Sequence, residues 1–90
     1  MVEDQVAAVD RLRRALLTFQ GGQGLLLKAH RQMKGLPAGE VEAFWAGPGA
    51  RLERHVRGTA VELVEAFRVF SKAGLVANAE DRHRVTEAQR

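Results

Sequence analysis

Phe44-Trp45-Ala46-Gly47-Pro48-Gly49-Ala50 sits near the middle of this 90-residue chain, with a long periodic segment on either side. Gly47-Pro48-Gly49 is a strong helix breaker. The chain is therefore expected to reverse around Trp45, whose ring would pin the turn onto the rest of the molecule.

Downstream of the breaker, Leu52, Val56, Thr59, Leu63, Ala66, Phe70, Ala73 and Ala77 follow one another at steps of four and three. That spacing lays an apolar seam along one face of a helix. Ala60, Val64 and Phe67 widen the stripe on one flank. The pattern predicts a helix over about residues 50–77, a rod of roughly 40 Å at 1.5 Å per residue. Upstream, Val2, Gln5, Val9, Leu12, Leu16 and Phe19 repeat the same steps, and the register continues through Gln23, Leu26, His30 and Met33. This predicts a first helix over about residues 2–35. Gly21-Gly22-Gln23-Gly24 interrupts it, and each glycine costs roughly 1 kcal/mol relative to alanine. A kink or a frayed turn is expected there.

Gly35-Leu36-Pro37-Ala38-Gly39 ends the first segment, since Pro37 lacks a donor and biases Leu36 away from helix. The bend is placed at about residues 36–49, with room for a short helix through Glu40–Phe44 behind Pro37. Gly74 or Asn78 is expected to stop the second helix. Asn78-Ala79-Glu80-Asp81 also has the form of a helix start, with an Asn cap and early acids. Beyond it only Val85 is apolar and larger than alanine, so residues 81–90 are expected to form a flexible or frayed tail.

The fold class expected is all-α: a helix-turn-helix hairpin within residues 1–80. Two helices do not enclose a core, and chains this short usually need a further staple. With no cysteine, the expected staple is a second hairpin, giving a dimeric four-helix bundle. Leu12, Leu16, Phe19, Leu26, Leu52, Val56, Leu63, Phe67 and Phe70 are the candidates for core and partner interface.

Composition excludes several functions. The absence of cysteine removes disulfides, thiol nucleophiles and thiolate metal sites together. No apolar run approaches the roughly 18 residues that suggest a membrane span. Met1-Val2-Glu3-Asp4-Gln5 is acidic and polar, unlike a signal peptide, so any export is expected to take another route. Ser71 is the only serine, with no implied His–Asp partner. Gly21-Gly22-Gln23-Gly24 with Lys28 lacks the Gly-Lys-Ser/Thr ending of a phosphate loop. His30, His55 and His83 have no metal-ligand spacing. An enzyme, a metal or a cofactor is not expected.

The net charge of +3 is modest. Arg51, Arg54 and Arg57, with His55, open the second helix, where cations oppose the helix dipole; Glu53 and Arg57 are spaced to offset part of that cost. These arginines form either a solvated face, the favoured reading, or a contact patch for an acidic partner or phosphates.

The Phe44–Ala50 stretch, followed by Thr59-Ala60-Val61-Glu62-Leu63, resembles the WXG family, small substrates of the type VII (ESX) secretion systems of actinobacteria and related Gram-positive bacteria. As architecture the resemblance covers the whole chain. It implies that Trp45 and Gly47 form the turn and that Trp45 packs at the bundle end. It also implies a helical partner, either a second copy or another WXG-like protein, with a secretion ATPase as a further contact. The protein would then be secreted without a signal peptide, or cytoplasmic before export. Heavy use of Ala, Gly, Val and Arg fits an actinobacterium-like source.

The chain departs from the family at one motif. Exported members carry Tyr-x-x-x-Asp/Glu just after the second helix, whereas this chain has no tyrosine and offers only Val76-Ala-Asn-Ala-Glu80 at that spacing. Three readings stay open: a motif-less partner of a tyrosine-bearing protein, a divergent homodimer, or a hairpin whose W-x-G is accidental. The alternative functions are a small basic nucleic-acid-binding dimer and an intracellular helical adaptor. Nucleic acid is disfavoured, because the aromatics lie on the apolar stripe rather than among the arginines.

Overall fold

The computed structural model describes residues 2–90, and Met1 lies outside the described residues. Four helices follow in order: α1 (Glu3–Met33), α2 (Ala38–Ala46), α3 (Pro48–Lys72) and α4 (Ala79–Ala88). No strand occurs among the described residues. The expected all-α class is therefore observed, in an elongated shape of 55 × 21 × 18 Å.

α1 and α3 form the long antiparallel pair. Gln5 ties their ends together: its Oε1 accepts from the Val2 N–H at 3.3 Å, and its Nε2 donates to the Ala73 carbonyl at 3.1 Å. Glu3 and Asp4 lie in the first turn of α1, where the helix dipole favours acids. Pro48 opens α3 at a position where a missing N–H is harmless. α3 begins there rather than at residue 50. Its end at Lys72, five residues earlier than expected, is set by Gly74 at φ +82°. There the Leu75 N–H donates to the Phe70 carbonyl and the Gly74 N–H to the Ser71 carbonyl. This paired closure needs a left-handed residue, which glycine adopts without a side-chain clash.

The glycine run does not break α1. The helix is continuous through Gly21–Gly24, contrary to the expected kink or frayed turn. Only Gly22 is buried, and a Cβ there would lie 3.2 Å from Val56 Cγ2. Gly22 is thus a place of close approach between α1 and α3, and tertiary packing outweighs the local propensity cost.

The flexible or frayed tail expected over residues 81–90 is instead the site of α4. Asn78 caps it, its side chain accepting from the Asp81 N–H at 2.8 Å. Val85 is buried in the core, and Gln23 Nε2 donates to Glu87 Oε2 at 3.1 Å, joining α1 to α4. α4 packs on α3 and reaches α1. The core cluster joins Leu12, Leu16 and Phe19 of α1 to Leu63, Ala66 and Phe70 of α3, with Ala77 and Val85 closing it. Ala60, Phe67 and Ala88 pack around that cluster. The widened flank of α3 therefore finds its cover within one chain.

Candidate functional site

The bend is built by α2. Pro37 precedes its first residue and Gly47 follows its last, so Gly47 is the junction between α2 and α3. The Gly47 N–H donates to the Phe44 carbonyl at 3.2 Å, and its carbonyl accepts from the Arg51 N–H at 3.2 Å. Phe44 and Trp45, in the last turn of α2, are both half-buried. Their rings meet edge to face with centroids 5.0 Å apart, and the imidazole of His30 lies 4.5 Å from the Trp45 ring. His30 and Trp45 thereby join the end of α1 to the bend.

Directly beneath this pair lies Gly49, which is buried. A Cβ at Gly49 would collide with the Trp45 ring and stand 3.0 Å from Phe44 Cε1. At Gly47 it would meet only the Ala43 carbonyl, at 3.6 Å. The residue that lets tryptophan seat is therefore Gly49, across the α2–α3 junction from Trp45, while Gly47 forms that junction. Sequence reasoning singled out Gly47 and missed Gly49, because the two flank the same Pro48.

The candidate interface residues divide into two groups. Leu12, Leu16, Phe19, Leu63 and Phe70 are buried between helices of the single chain. Leu26, Leu52, Val56 and Phe67 are half-buried; Val56 and Phe67 border the core cluster, and the Phe67 and Phe70 rings stack with centroids 6.3 Å apart.

The arginines at the start of α3 do not converge. Arg54 faces a groove between α1 and α3 together with Arg11, Arg14 and His55. Arg57 lines the opposite groove beside α4, with Glu53, Glu87 and Arg90. Arg51, also exposed, lines neither. The spaced pair Glu53–Arg57 is not among the ion pairs of the described residues, which include Arg11–Glu62 at 3.7 Å and Arg14–Asp10 at 2.8 Å. Both are exposed and contribute little to stability. His83 sits 3.0 Å from Glu87 on α4.

Among the described residues no helix is long and apolar enough to cross a membrane, and no group of three His, Asp or Glu residues is placed to hold a metal. Comparison with protein-family models, curated proteins and solved structures gives no match.

Proposed function

We propose that this chain is a WXG-like protein of a type VII secretion system, exported alone or with a dedicated partner and acting through protein–protein contacts. One observation carries the reading. The W-x-G tripeptide falls at the reversal between two long helices, and its tryptophan is seated on Gly49 against His30 of the first helix.

The surface adds support. Large apolar side chains stay exposed on α1 and after α3, as a chain that works by docking requires. Arg51, Arg54 and Arg57 themselves form no single basic patch; Arg54 instead shares a groove with Arg11, Arg14 and His55. Val76, at the position of the family's tyrosine, is 85% exposed and supplies neither ring nor hydroxyl. Where this chain is the motif-less member of a pair, a tyrosine-bearing partner supplies the export signal.

The test is to assay culture supernatant of the source organism with and without a tyrosine-bearing WXG-like protein that binds this chain. Loss of this chain from the supernatant when that protein is removed is the expected result. A chain retained inside the cell under every condition would overturn the secretion reading.

A further inference from the structure

Arg11, Arg14 and Arg54 line one groove between α1 and α3, with a volume of about 620 Å³, and His55 stands beside them. The two helices run antiparallel, so the groove has distinct ends. The Arg11–Glu62 pair, at 3.7 Å, spans one of them. Arg54 and His55 lie toward the other, across from Thr18. Seven residues separate Arg11 from Thr18. At 1.5 Å per residue that is roughly 10 Å of helix, the length of about three residues of extended chain.

The charge of this groove is unbalanced. Three arginines share it with a single carboxylate, Glu62. Arg14 holds the exposed Asp10 at 2.8 Å, while Arg54 forms no ion pair among the described residues. Between the arginines the lining is small: Ala15, Gly58 and Thr59. Nothing lies within 4 Å of a Cβ added at Gly58. Glycine there costs helix stability, yet no neighbour fills the space it leaves. The Thr18 hydroxyl donates to the Arg14 carbonyl at 2.9 Å, and the Thr59 hydroxyl to the Val56 carbonyl at 2.7 Å. Both hydroxyl protons are therefore committed within their own helices, and neither is free for a phosphate. The donors left are guanidinium groups, whose planar forks pair well with carboxylates. The fitting occupant is apolar toward the lining and acidic toward the arginines.

We propose that this groove holds a short acidic peptide segment of another protein. Its apolar side chains lie against Ala15 and Gly58, and its carboxylates pair with Arg14 and Arg54. An extended segment sends alternate side chains to opposite faces, which supplies both kinds of contact at once. The proposal rests on the part of the proposed function that makes this a docking protein, and it needs no export. It places the acidic-partner contact between α1 and α3, with Arg11 and Arg14, rather than on the arginines of α3 alone.

The test is an amide NMR titration of the isotope-labelled full-length chain with a short peptide alternating glutamate and leucine. Saturable shifts are expected at Ala15, Gly58 and Thr59, with affinity falling as salt rises. Arg54→Glu should weaken binding by about tenfold, since it sets like charges face to face. Arg51→Glu makes the same change in net charge outside the groove. It should weaken binding by less than about twofold, through screened long-range attraction alone. Gly58→Leu should plug the groove and weaken binding by about tenfold or more, while helix content and melting temperature stay at least at wild-type values, because leucine is the better helix former. Absence of saturable shifts at these amides would overturn the proposal. So would equal losses from Arg51→Glu and Arg54→Glu, or binding that Gly58→Leu leaves intact. A DNA oligonucleotide that moves the same amides at lower concentration than the peptide would also overturn it, giving the groove to phosphate. Any of these failures leaves the export reading to the supernatant assay.

Discussion

A single Cβ separates the two glycines of the bend. At Gly49 it would strike the Trp45 ring, whereas at Gly47 it would make an ordinary contact with the Ala43 carbonyl. Overpacking a well-filled site typically costs 1–3 kcal/mol. Gly49→Ala is therefore expected to lower stability by about 2 kcal/mol, and Gly47→Ala by less than about 1 kcal/mol. Urea denaturation followed by the fluorescence of Trp45, the only tryptophan, measures both. Equal losses would contradict the assignment of the close approach to Gly49. The sequence marks Trp45 plainly, since a large aromatic between two helical segments has few other uses. It does not separate Gly47 from Gly49, because both flank Pro48. Which one lies under the ring depends on how α3 leaves the junction.

At the scale of elements, the glycines of α1 can be told apart in the same way. Gly21 and Gly24 have nothing within 4 Å of an added Cβ, whereas Gly22 faces Val56. Gly21→Ala and Gly24→Ala should each stabilise the protein by about 0.5–1 kcal/mol, through helix propensity and a less flexible unfolded chain. Gly22→Ala should gain less than either, because Val56 must give way. Thermal or urea melts of the three variants check the order; a Gly22→Ala variant as stable as the other two would show that the helices are not in close contact there. The sequence pattern foretold both long helices because seam residues repeat over many turns. α4 was harder to read. Its start signal, Asn78 followed by Glu80 and Asp81, was visible, but one large apolar residue looked too few to hold a helix. Packing supplied the rest, through the small residues Ala77 and Ala88 and the Gln23–Glu87 hydrogen bond. None of these stands out in a reading that weighs only large side chains.

At the scale of the molecule, the sequence correctly implied that two helices leave apolar surface uncovered. The solution lies partly within the chain, as α4 covers the flank formed by Ala60 and Phe67. Besides Val2 at the start of the seam, the large apolar side chains that remain exposed include Val6, Leu17, Leu25, Leu27, Val61 and Val76, which lie off it. The seam pattern gave no hint of this, because these residues sit off its register. One chain closes its own core with α4. Amide hydrogen exchange, measured in solution dilute enough to be monomeric, tests that claim most directly. Protection tracks the free energy of local opening. The amides of residues 83–88 are predicted to exchange far more slowly than in an unstructured peptide, approaching the protection of the α3 interior around Leu63. Exchange of residues 83–88 at free-chain rates, while the amides around Leu63 stay protected, would contradict it and restore the frayed tail.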